Sequence, residues 1–211
     1  RSSLKNRGLY LILVTVFCLL CSLESLSQTY YSQGNADVNL LASWNSDPGG
    51  AGTTPADFTG TNTWIISAAH SMTMAEDWIV GEGGVATVTI EGTLTIISNF
   101  LINITGTLTV SGTLRNSGTY TTACPVAVTS GITIQGTYQH DQDNGYLPVA
   151  TWASGSTCLV TGWAGTENLG NSSCEQAFYN FTWNCPNQEV NVFFEGFVST
   201  VSGTFTLASS G

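Results

Sequence analysis

The 211-residue chain carries four Lys/Arg against 14 Asp/Glu, a net charge of −10, and is 42% hydrophobic with six Trp. So few cations exclude nucleic acid as a partner and disfavour binding to an anionic membrane surface, both of which need clustered Lys and Arg. The aromatic and apolar content is too high for a disordered chain, so a folded core is expected.

Arg1, Lys5 and Arg7 precede an apolar run from Leu9 to Cys21, and Ser25 and Ser27 follow it. A basic start, a short apolar middle and a small-residue exit read as a secretory signal peptide over residues 1–27, cleaved before Gln28. The competing reading is an uncleaved anchor helix. Cleavage leaves Arg115 as the sole basic residue against 13 acids, a net charge of −12, with no membrane insertion of the mature chain.

Residues 28–62 form a Gly/Asn/Asp/Pro-rich lead-in with a turn at Asp47-Pro48-Gly49-Gly50. Trp44 and Phe58 are expected to pack as a cap, because an open solenoid end exposes apolar interior and unpaired strand edges.

From residue 63 to residue 211 the chain reads as short alternating strands. Thr63-Trp64-Ile65-Ile66, Ser71-Met72-Thr73-Met74 and Trp78-Ile79-Val80 come first. An internal repeat follows: Ile90-Glu91-Gly92-Thr93-Leu94-Thr95-Ile96 matches Ile104-Thr105-Gly106-Thr107-Leu108-Thr109-Val110. Further copies stand at Val110-Ser111-Gly112-Thr113-Leu114, Ile134-Gln135-Gly136-Thr137-Tyr138 and Val201-Ser202-Gly203-Thr204-Phe205. The apolar positions on either side of Gly-Thr alternate and face one way, glycine lets the backbone bend, and Thr suits the outward pleat. One unit cannot bury its own apolar face. Stacked copies can, which predicts an all-β parallel solenoid; an antiparallel β-sandwich is the alternative. The six-residue steps Gly106–Gly112–Gly118 read as successive strands of one coil, and the longer steps, such as Gly92 to Gly106, as coil-to-coil returns.

Residues 139–145 read as a polar loop. Within it, Asp141, Asp143 and Asn144 form an alternating oxygen set before Gly145 that suits Ca²⁺, against a plain solvated turn. His140 is expected in that loop, and His70 in a structural place beside a strand. Trp152, Trp163, Tyr179 and Trp183 are candidate stacking platforms for glycans, against core packing. Thr pairs such as Thr93/Thr95 and Thr107/Thr109 make outward arrays of a kind seen in ice-binding solenoids, and Thr is equally a good exterior strand residue.

Four cysteines follow the signal: Cys124, Cys158, Cys174 and Cys185. An even count in an exported chain favours disulfides, with three connectivities; none is spaced for zinc. The 27-residue separation of Cys158 and Cys185 fits one coil plus a loop. It suggests that pair, leaving Cys124 with Cys174.

Leu41-Ala42-Ser43-Trp44-Asn45, Trp64-Ile65-Ile66, His70-Ser71-Met72-Thr73-Met74 and Val88-Thr89-Ile90-Glu91-Gly92-Thr93-Leu94-Thr95-Ile96 resemble the opening of large surface proteins exported by type IX secretion in Bacteroidota. Gly136-Thr137-Tyr138-Gln139-His140 and Asn180-Phe181-Thr182-Trp183-Asn184-Cys185-Pro186 resemble later segments of that group. The resemblance implies a right-handed parallel β-helix, export to the cell surface and an adhesin-like role, and carries no catalytic residues over. The group's C-terminal sorting domain has no counterpart here, so a truncated fragment is expected.

Enzymatic use of such a fold needs a basic residue beside a uronate or a set pair of carboxylates. Arg115 stands in a repeat turn, and the nearest carboxylate pairs are Glu76/Asp77 and Asp141/Asp143. The sequence thus points to a non-catalytic secreted or surface scaffold with glycans or other surface components as partners and no cofactor beyond the Ca²⁺ option. The alternative is a carbohydrate-binding or carbohydrate-active β-helix whose active part lies beyond the fragment.

Overall fold

The structure, a computed structural model, describes residues 27–119, 124–165, 175–194 and 198–211. The proposed signal peptide lies outside the described residues, apart from Ser27. Among the described residues, no helix is long and apolar enough to cross a membrane.

The chain opens with β1 (Thr29–Ser32), a 3-10 turn (Leu41–Ser43) and β2 (Trp44–Asn45). It then winds in coils. The first carries β3 (Thr63–Ile66), β4 (Ser71–Thr73) and β5 (Trp78–Val80), and the second β6 (Ala86–Ile90), β7 (Thr93–Ser98) and β8 (Ile102–Ile104). The third carries β9 (Gly106–Val110), β10 (Thr113–Gly118) and β11 (Val126–Val128). Later coils carry β12 (Ile132–Ile134) and β13 (Thr137–His140), then β14 (Thr151–Trp152) and β15 (Thr157–Val160). The last carry β16 (Gln176–Phe178) and β17 (Asn180–Cys185), then β18 (Val198–Val201) and β19 (Phe205–Ser210).

Successive coils pair in parallel and stack as a β-solenoid of about six turns. One seven-stranded sheet runs β14-β12-β9-β6-β3-β1-β2, a second β19-β17-β15-β13-β10-β7-β4, and a three-stranded sheet β11-β8-β5 forms a third side. Among the described strands, β1–β2 is the one antiparallel ladder, which removes the sandwich alternative. Leu94 stands opposite Leu114 and Leu114 opposite Tyr138, steps of 20 and 24 residues.

The repeat maps onto the coil with one revision. Gly92, Gly112 and Gly136 stack at the same corner: a Cβ on Gly112 would meet the carbonyl of Gly92, and one on Gly136 the carbonyl of Gly112. Gly106 occupies a different corner, at the start of β9. The Gly92–Gly106 step therefore carries the chain from the second coil into the third, as expected, but in less than a full turn. The lead-in also contributes more than a cap. Thr29, Tyr30 and Tyr31 pair in parallel with Thr63, Trp64 and Ile65, so the stack begins at β1 and not at residue 63.

Side-chain alternation fills the interior. Val88, Leu94, Ile96, Leu108, Val110, Leu114 and Ile134 are fully or almost fully buried and form one continuous core. Thr87, Thr89, Thr107 and Thr109 lie on the opposite pleat. Trp44 stacks on Trp78 and meets Trp64 edge-on, while Phe58 packs on Trp64 at 4.9 Å between ring centres. These rings close the first coils as expected of Trp44 and Phe58. The turn at Asp47 is also confirmed: Gly50 N–H donates to its carbonyl, and Gly49 N–H to its carboxylate.

Candidate ligand-binding groove

The structure uses the oxygen-rich segment after β13 to staple coils together. Asp141 takes the guanidinium of Arg115 from the coil before, and accepts from the Thr161 hydroxyl at 2.9 Å on the coil after. Asp143 accepts backbone N–H groups of Ala164 and Gly165 at 2.9 and 3.2 Å. Asn144 sits at φ +65° and binds the N–H of Gly145 with its own side-chain oxygen. The three residues are turned to different protein donors, and no group of three or more His, Cys, Asp or Glu fit to hold a metal occurs among the described residues. Asp141, Asp143 and Asn144, the residues of the Ca²⁺ expectation, are thus engaged in bonds within and between coils.

His140 is not a loop residue. It ends β13, is fully buried, and donates from Nε2 to the Asn144 carbonyl. Burial pushes its pKa down to about 4; the Asn144 bond and the charges of Asp141 and Asp143 act the other way. His70 has the structural place expected of it: its Nδ1 shares a hydrogen bond with the Ser32 hydroxyl at 2.7 Å, tying the lead-in to the first coil.

The aromatic candidates separate into two kinds. Trp163 and Trp183 are each 1% exposed, 5.9 Å apart between ring centres, and belong to the core. Neither offers a face to a sugar. Trp152 is half-buried against Phe178 at 4.8 Å, and its indole N–H donates to Gln176. Gln176 also accepts from the N–H of Ala150 and donates to the Pro148 carbonyl, so its side chain joins β14 to β16, which share no strand ladder. Tyr179 is half-buried at the corner between β16 and β17.

Cys158 and Cys185 are free thiols, which corrects the expected bridge. Register explains it. Cys158 lies opposite Phe181, and Cys185 is four residues further along β17, roughly 13 Å away, where a disulfide needs Cα atoms within about 7 Å. The Cys185 thiol donates instead to the Val160 carbonyl, and burial pushes the Cys158 thiol pKa up. Cys174 lies outside the described residues, so its pairing with Cys124 is not described.

An unanticipated concavity lies beside the aromatic cap. Asn39, Phe58, Glu76, Asp77, Trp78, Ile79 and Phe100 line a groove of about 590 Å³. It draws on the lead-in, on β5 and the turn before it, and on the turn between β7 and β8. Phe58 and Phe100 are half-buried, and Ile79 is 51% exposed. Local bonds fix its acidic edge. Asp77 accepts the Leu101 N–H at 2.8 Å through Oδ1, and its backbone carbonyl takes the Asn39 amide at 2.7 Å. A concavity with aromatic walls and a few fixed polar groups is the usual form of a small-ligand site. No family model, curated protein or solved structure matches the chain.

Proposed function

We propose that this chain is a secreted or cell-surface, non-catalytic, adhesin-like β-solenoid that contacts glycans, with the Phe58–Phe100 groove as its contact point. The groove carries the reading: exposed ring surface for stacking and fixed polar acceptors for hydroxyl groups stand together on the side of a rigid stack. The basic and apolar start of the chain supports export, as does the resemblance to type IX secretion cargo. A scaffold role fits the seven-stranded sheet from β4 to β19, in which successive coils pair over an interior packed with side chains, because such a stack holds its surface groups at fixed spacing.

A glycan array probed with the purified chain and with the Phe100→Ala variant tests it. Binding that the variant loses supports the reading. Binding unaffected by the variant, or none to any glycan, removes the groove from it. Release of sugar products by the purified chain overturns the non-catalytic part.

A further inference from the structure

We propose that the outward face of the sheet β14-β12-β9-β6-β3-β1-β2 binds ice, through two columns of threonine that hold an ordered lattice of water. The inference is independent of the groove and goes beyond the glycan reading.

The strand ladders set the columns. Thr29, Thr63, Thr87 and Thr107 stand opposite one another on β1, β3, β6 and β9. Two residues further along the strands, Thr89, Thr109, Thr133 and Thr151 do the same on β6, β9, β12 and β14, and Ile65 and Tyr31 end that second column. All these threonines lie on the outward pleat and are partly or fully exposed. Paired strands lie about 4.8 Å apart and alternate residues of one strand about 6.7 Å apart, so the hydroxyls form a net with these two repeats. The oxygen repeats on a prism face of ice are close to the same pair. The other seven-stranded sheet has no such net. It keeps one hydroxyl column, Thr93, Thr113, Thr137 and Thr157, but the column beside it reads Thr95, Arg115, Gln139 and Leu159.

Bonding and charge suit the net to water. Among the described residues, none of the hydroxyls in the two columns hydrogen-bonds to the protein. Thr59, Thr73, Thr119 and Thr161, elsewhere in the chain, each bond a protein oxygen. Every column hydroxyl thus keeps one donor and two acceptor sites for the outside. β-Branching limits its rotamers and the paired strands fix its backbone, so little order remains to be imposed on binding. The methyl groups between the hydroxyls restrain first-shell water without bonding it. In a chain with 14 acids, no strand of this sheet carries a charged residue, and a charge would hold its own hydration shell against the lattice. A sugar would need rings to stack on. Trp44 and Trp64 are buried beneath this face, and Trp152 packs on Phe178.

Single ice crystals grown in a solution of the full chain decide it, with Thr87→Lys and Thr109→Lys on the net and Thr95→Lys on the other sheet as variants. The parent chain is expected to open a gap between melting and freezing points and to grow faceted crystals. Thr87→Lys and Thr109→Lys should lose both effects, and Thr95→Lys should keep them. Thr87 is fully exposed, so its lysine extends into solvent and the variant should keep its fold, checked by its melting curve; it carries the test if Thr109→Lys unfolds. No gap and no faceting with the parent chain overturns the inference. So does activity that survives Thr87→Lys, or that Thr95→Lys loses equally. Retention of the parent chain on crystalline cellulose, without any effect on ice, assigns the face to a neutral polysaccharide surface and overturns it as well.

Discussion

His140 donates from Nε2 to the carbonyl of Asn144 at 2.8 Å, which leaves its Nδ1 buried without a protein partner. The side chain is therefore held neutral inside the stack, with its pKa lowered from 6.5 to about 4. An unfolded chain takes up a proton below about pH 6.5 that the folded chain refuses until about pH 4. The stabilisation is complete above pH 6.5 and is lost as the pH falls through this window, amounting to about 3 kcal/mol. Urea unfolding at pH 7 and pH 4 should show this loss in the parent chain and much less of it in His140→Gln. Equal losses in both would contradict the assignment.

The glycine column makes a second prediction. A Cβ at Gly112 collides with the backbone carbonyls of Gly92 and Glu91, whereas one at Gly155 meets open space and only the strain of φ +88°. Gly112→Ala should cost about 3 kcal/mol and Gly155→Ala about 1 kcal/mol. Denaturant midpoints of the two variants measure the difference, and equal midpoints would mean that the coils do not approach at that corner.

The thiols give a third. Mass spectrometry after non-reducing digestion should find no peptide linking Cys158 to Cys185, and Cys158 should resist alkylation until the chain unfolds. A Cys158–Cys185 peptide would require β17 to slide by about four residues against β15.

Arg115 and Asp141 give a fourth, and a deliberately small one. The pair is half-exposed, so Arg115→Ala should lower stability by no more than about 1 kcal/mol, with less effect in high salt. Removing Asp141 should cost more, because the Thr161 hydroxyl loses its 2.9 Å bond as well and keeps only the longer one to the His140 carbonyl. A larger loss from Arg115→Ala than from Asp141→Ala would reverse this order.

Legibility followed periodicity. The Gly-Thr units at Gly92, Gly112 and Gly136 marked coil corners because apolar alternation changes direction there, and that alternation set the inward phase of Leu94, Leu114 and Tyr138. The same phase, carried into β17, places Phe181 and Trp183 inside, so Trp183 as a glycan platform was weak on the sequence's own logic. His140 ran against intuition because it continues the inward phase of Tyr138 while belonging to a polar run. The first strand, Thr29–Ser32, lacks the repeat and finds its place through pairing with β3. The groove had no local signal at all: Asn39, Phe58, Glu76 and Phe100 meet only once the coils are stacked.

The stacking itself is open to direct trial by placing cysteines at Thr89 and Thr109, outward-facing partners on adjacent coils. Mild oxidation should join them rapidly and leave the melting curve intact, while a Thr89/Thr95 cysteine pair, which an antiparallel hairpin would bring together, should stay open. The reverse outcome would contradict the parallel coil and, with it, the groove built upon it.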